Sequence, residues 1–153
     1  MIYFIRHAQA GPRGNYDELS TLGEQQAQLL GAHWAAQKLR FDVVYAGSLR
    51  RQQDTARLVC KALAGTTDII TDVRWNEFKL GAVYQSIAAQ LSAEDGAFAR
   101  DFAEMKLRLR ENAYAMHGAI ARCDRAVKSA WIENRFPAED YEPWLEFHAR
   151  VDD

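Results

Sequence analysis

Arg6 and His7 stand side by side directly after the apolar run Ile2-Tyr3-Phe4-Ile5, which puts a guanidinium and an imidazole at the end of an element rather than within it. A neutral imidazole nitrogen can attack phosphorus, and a guanidinium can neutralise phosphate oxygens with a planar fork of donors. A second cationic pair, Arg50-Arg51, follows Ser48-Leu49 and the apolar-rich run Asp42-Val43-Val44-Tyr45-Ala46. Two cations in the first turn of a helix oppose its dipole, and a bound anion removes that conflict. Glu77, in Trp75-Asn76-Glu77-Phe78, adds a carboxyl group that can hand a proton to a departing oxygen. Together these residues suit phosphoryl transfer, with Arg6 and Arg51 on the phosphate, His7 as nucleophile and Glu77 as acid. The set requires no metal and no cofactor.

Such residues act together only if one framework carries them to a common edge. The unalternating Ile2–Ile5 run predicts a strand buried on both faces of a parallel sheet. Gly11, Pro12, Gly14, Asn15 and Asp17 mark a loop after it. Ser20 or Thr21 can cap a helix, with Glu24 three residues after Thr21, and Leu22, Leu29, Leu30 and Trp34 mark its apolar side up to about Lys38. Residues 42–46 predict a second buried strand, with Ser48 capping a helix whose apolar side includes Leu49, Ala56, Val59 and Leu63. Ile69-Ile70-Thr71 begins a third strand. This alternation predicts an α/β fold with a parallel sheet. From about Val83 to Glu133 the pattern is helical, with stripes Phe98, Phe102, Met105, Leu109 and Met116, Ile120, Cys123, Val127, Trp131 that read as core contacts. Residues 136–143 break the pattern, and Trp144 to Val151 restart a helix.

Composition sets the class. A chain of 153 residues, 48% hydrophobic, 11% aromatic and 26% charged, fits one domain with a filled core and excludes a disordered or fibrous protein. A net charge of −2 gives no global attraction to nucleic acid or to anionic membranes. The basic residues Lys106, Arg108, Arg110, Arg122, Arg125 and Lys128 are interleaved with acids and read as a solvated helix face, so no nucleic-acid partner is expected. Cys60 and Cys123 have neither zinc-ligand nor disulfide-framework spacing and are expected to be buried thiols. The first apolar run is too short for a signal peptide or a membrane span, which makes the cytoplasm the expected location, without a membrane partner. Four tryptophans make self-association as a homo-oligomer an expectation, alongside a small phosphorylated substrate as partner.

With these residues in view, the sequence resembles the histidine phosphatase superfamily, which also contains the cofactor-dependent phosphoglycerate mutases. The resemblance rests on Phe4-Ile5-Arg6-His7-Ala8-Gln9, on Leu19-Ser20 with Gly23 and Gln26-Ala27, on Ser48-Leu49-Arg50-Arg51 with Thr55-Ala56, and on Glu77 with Gly81. It implies His7 as phosphoryl-accepting nucleophile, Arg6 and Arg51 as phosphate ligands, and Glu77 as general acid and base. It further implies a three-layer α/β/α sheet of the phosphoglycerate mutase type with a helical cap insertion. The expected organisation is one domain over 1–153, with an α/β core at 1–81, a cap at 82–136 and a return helix at 137–153. The activity implied is metal-independent phosphomonoester hydrolysis by a histidine acid phosphatase-like enzyme. The alternatives are mutase-type transfer to a sugar acid, or a degenerate phosphate-binding module.

The pattern departs from the family at three points. Ala8 replaces the usual glycine, which a negative φ would tolerate. Arg13 stands where many members have a phosphate-binding asparagine, and neither Arg13 nor Asn15 takes that role by spacing alone. Members also carry a second histidine after a further apolar strand downstream of the cap, beside the strand of the nucleophile. His33, His117 and His148 all fall in helical patterns and do not match it. The expectation is therefore a C-terminally incomplete domain without its last strand.

Overall fold

The computed structural model describes residues 1–63, 68–137 and 140–152. It is a mixed α/β structure, mostly helical, with a small parallel sheet of two strands. The chain forms two compact units, Met1–Glu77 and Phe78–Asp153. No described helix is long and apolar enough to cross a membrane.

In the first unit, β1 (Val44–Ala46) runs parallel to β2 (Ile69–Thr71), with Tyr45 opposite Ile70. Helix α2 (Arg50–Ala62) connects them, and α1 (Thr21–Ala36) packs on α2. The β1-α2-β2 order follows the predicted alternation, because a parallel pair needs a crossover between its strands.

Burial differs from the sequence expectation. Ile2 and Phe4 are 79% and 77% exposed, and residues 2–5 form no strand. A continuous apolar run reports a tendency to be buried, whereas a strand exists only where a neighbour completes its ladder, and no described segment pairs with this one. β1 and β2 are likewise covered on one side only. Ala46 is buried, whereas Tyr45 and Ile70 face outward.

The buried side of α1 is also not the one that its leucines suggest. Gly23, Ala27 and Gly31 are buried at four-residue spacing, while Leu22 and Leu29 are exposed. The reason is close approach. A methyl group at Gly31 would lie 2.5 Å from the Val59 carbonyl oxygen of α2, and one at Gly23 would lie 2.1 Å from the Gln9 carbonyl oxygen. Small residues let two backbones meet where leucines would hold them apart. Ser20 caps α1 by accepting from the Gly23 amide at 3.0 Å. Ser48, in contrast, does not cap α2. Its N-cap is Leu49, and Ser48 is tied to Asn76, whose Oδ1 accepts from the Ser48 amide at 2.7 Å and whose Nδ2 donates to Ser48 Oγ at 2.9 Å.

The second unit contains α3 (Leu80–Glu94), α4 (Gly96–Glu111), α5 (Gly118–Ile132) and α6 (Trp144–Asp152). Val83, Ile87 and Leu91 of α3, Phe98 and Met105 of α4, and Ile120, Cys123, Val127 and Trp131 of α5 form its core. Full burial of such side chains stabilises by about 1.5–3 kcal/mol each relative to exposure. Met116 is the exception to the expected stripe, at 98% exposure, because it precedes the α5 N-cap His117. Asp95 starts α4 by accepting from the amides of Ala97 and Phe98. Trp131 stacks on Phe78 with centroids 4.2 Å apart and donates from Nε1 to the Glu142 carbonyl. Arg150 of α6 grips the Glu142 carboxylate through two bonds of 2.6 and 2.8 Å, which holds that carboxyl below its usual range.

Candidate active site

The first unit brings His7, Arg51 and Glu77 together. The Ala8 amide donates to Thr55 Oγ1 at 3.1 Å, and that hydroxyl donates to the Arg51 carbonyl at 2.7 Å, so one threonine of α2 fastens the segment that carries His7. The Gln9 amide donates to Gln26 Oε1 at 2.9 Å, which fastens the same segment to α1. Glu77 follows a short 3-10 turn at Val73–Trp75 that Asp72 caps after β2.

His7 is oriented by its own neighbour. Its Nδ1–H donates to the Ala8 carbonyl at 2.8 Å, which leaves Nε2 as the nitrogen with a free electron pair. Nε2 is buried without a hydrogen-bond partner and lies 4.0 Å from Glu77 Oε2. Burial pushes the imidazole below its ordinary value of 6.5, and the Arg51 and Arg6 charges push the same way against the Ala8 bond and Glu77. A neutral, aimed imidazole is the form a nucleophile requires.

Arg51 is buried at 5% exposure in the first turn of α2. One terminal nitrogen donates to Asp17 Oδ1 at 2.9 Å and the other to Glu77 Oε2 at 2.9 Å, while buried Nε has no partner. The dipole conflict read from the sequence is thus met in this structure by the carboxylates of Asp17 and Glu77. Arg50 turns away to Glu18 and Asp54. Arg6 is exposed and reaches the Tyr16 hydroxyl at 3.5 Å.

The sequence profile of the histidine phosphatase superfamily (branch 1) matches residues 2–140. The chain belongs to the histidine phosphatase superfamily. Among curated relatives, serine/threonine-protein phosphatase PGAM5, mitochondrial, from Rattus norvegicus and from Mus musculus is 32% identical over 75 residues, 47% of this chain and 26% of each relative. The Homo sapiens protein of that name is 31% identical over the same shares. The match thus spans about a quarter of those relatives' length. No solved structure matches the chain.

Within this histidine phosphatase chain, the departures have local explanations. Lys38 and Asn134 are the described non-glycine residues with positive φ, so Ala8 adopts backbone open to any L residue. Asn15 donates to Glu18 Oε2 at 2.6 Å. The other histidines have local partners. His33 contacts Gln37, and His148 pairs with Asp152 at 2.9 Å within α6. His117, expected inside a helix, instead caps α5 by accepting from the Ala119 amide at 3.2 Å. Cys123 is buried as expected, whereas Cys60 is half-buried, enough to push its thiol up.

Two residues that sequence reasoning passed over line the site. Asp17 holds Arg51 from the edge, and Tyr16 covers it from a face, with the guanidinium carbon 4.7 Å from the ring centroid. Both fall in the turn-rich stretch after His7, where a lone aromatic beside an acid was the available signal.

Proposed function

We propose that this chain carries the phosphoryl-transfer centre of a metal-independent phosphomonoesterase, histidine acid phosphatase-like in type, that works through a phosphohistidine at His7. The observation that carries the reading is the buried, unpartnered His7 Nε2, facing Glu77 across 4.0 Å beside the Arg51 fork. The phosphatase activity named for the curated relatives supports hydrolysis over mutase transfer.

Substrate phosphate displaces Asp17 and Glu77 from the terminal nitrogens of Arg51, and Arg6 swings from Tyr16 onto a further oxygen. Freed from Arg51, Glu77 takes up the proton of the bound phosphomonoester monoanion; the Nε2 electron pair then forms a P–N bond as the ester P–O bond breaks, and the Glu77 carboxyl gives that proton to the leaving alkoxide. In the second step a water oxygen attacks phosphorus, the Glu77 carboxylate takes its proton, and the P–N bond breaks, returning the pair to Nε2 and releasing phosphate.

The sheet is part of the same reading: a three-layer α/β/α arrangement of the phosphoglycerate mutase type, in which a further strand would pair beside the exposed run at residues 2–5. A small phosphorylated molecule is the proposed substrate class. The test is hydrolysis of p-nitrophenyl phosphate by the full chain, with release at the level of the buffer control in His7→Ala. Equal activity of the two proteins would reject the mechanism.

A further inference from the structure

We propose that Tyr16 is a positioning residue, whose ring holds the His7 imidazole and the Arg51 guanidinium in register for one phosphoryl group. The inference rests on the phosphoryl-transfer reading above and adds a residue to it.

Tyr16 touches all three basic groups of the site. Its ring meets that of His7 edge to face, with centroids 5.9 Å apart and planes at 87°. The Arg51 guanidinium lies over the same ring at 4.7 Å, and Arg6 reaches the hydroxyl at 3.5 Å. Because Arg51 is only 5% exposed, the attraction between cation and ring is little weakened by water. The next residue, Asp17, grips the edge of that guanidinium at 2.9 Å, so consecutive side chains fix it in two directions.

The segment carrying these residues is itself braced. Gly11 donates to the Glu18 carbonyl at 2.7 Å, and Ala10 bridges Leu19 in antiparallel fashion, closing the loop that presents Tyr16. Arg51 must release Asp17 and Glu77 to take a phosphate, and during that exchange the ring is the contact that need not change. Tyr16 thereby keeps the guanidinium plane and the imidazole plane in a constant relation while their ionic partners turn over. A displacement of about 1 Å in such a pair can cost a hundredfold in rate.

The test compares Tyr16→Phe, Tyr16→Leu and Tyr16→Ala in the full chain, with two readouts. The first is the titration of His7 by NMR without substrate, in the field of Arg6, Arg51 and Glu77. Tyr16→Ala opens the imidazole to water, so its titration should move up toward 6.5, while Tyr16→Phe should leave it in place. The second is hydrolysis of p-nitrophenyl phosphate. Tyr16→Ala should lose about tenfold or more in kcat with a smaller change in KM, and Tyr16→Phe should recover most of it. Tyr16→Leu keeps apolar bulk without the π face and should be as slow as Tyr16→Ala; it also serves if the alanine variant does not fold. An unmoved titration in Tyr16→Ala, full activity in Tyr16→Leu, or a loss in Tyr16→Phe equal to that in Tyr16→Ala would each overturn the proposal. If the unaltered chain hydrolyses nothing while the His7 titration still moves as stated, the hold of the ring on His7 stands and the phosphatase reading fails.

Discussion

Arg51 and Glu77 share one short bond, 2.9 Å from a guanidinium nitrogen to Oε2, and that same carboxylate oxygen is the one nearest His7 Nε2. In the proposed reaction phosphate binding and proton transfer are therefore coupled, because an anion that takes the Arg51 fork would free the oxygen assigned the proton exchange.

Glu77→Gln tests that oxygen. The variant keeps the size of the side chain and loses its proton chemistry, so kcat on an alkyl phosphate should fall by about 10²–10⁴. The loss on p-nitrophenyl phosphate should be smaller, because nitrophenolate departs without a proton. Equal losses on the two substrates would remove the general-acid role.

Arg51→Lys tests the fork. A lysine keeps the charge but cannot engage two oxygens in one plane. KM should rise and kcat fall, most sharply in Arg51→Ala, while Arg50→Ala, whose partners are Glu18 and Asp54, should stay close to the unaltered chain. Steady-state kinetics of the three variants decides this.

The pH dependence follows from His7. Its folded value lies below 6.5, so the folded chain keeps the ring neutral to lower pH than the unfolded chain does. The unfolded chain takes up the proton first, so stability from this group is complete above 6.5 and declines as pH falls toward the folded value. The acid limb of kcat/KM should accordingly lie below 6.5, and His7→Ala should flatten the matching part of the stability profile. Activity plotted against pH and urea midpoints in that range measure both.

The grouping of His7, Arg51 and Glu77 was legible in the sequence before the packing was. Arg51 and Glu77 were readable because each follows a short apolar run that does become a strand, β1 or β2, and both strands end at one edge. Ile2–Ile5 shows what periodicity cannot supply: apolarity specifies a wish for burial, and a ladder needs a partner. The leucines of α1 mislead for a related reason, since an apolar count favours large side chains while the α1 and α2 contact selects the smallest. Tyr16 left only a weak signal, an aromatic beside an acid, because an aromatic in a loop declares its role only once its neighbours in space are known.

That close contact gives a stability test. Gly31→Ala sets a methyl 2.5 Å from the Val59 carbonyl oxygen, a backbone atom that cannot rotate away, and should cost about 1–3 kcal/mol in urea unfolding. Ile87→Ala, in the core of the second unit at 0% exposure, should cost about 2–5 kcal/mol. Unchanged midpoints would contradict the packing described.

The most direct measurement is covalent. Turnover of a radiolabelled phosphomonoester by the full chain, quenched rapidly and digested, should yield an acid-labile, base-stable label on the peptide containing His7, absent in His7→Ala. Turnover without such a label, or with a label on another residue, would contradict the account.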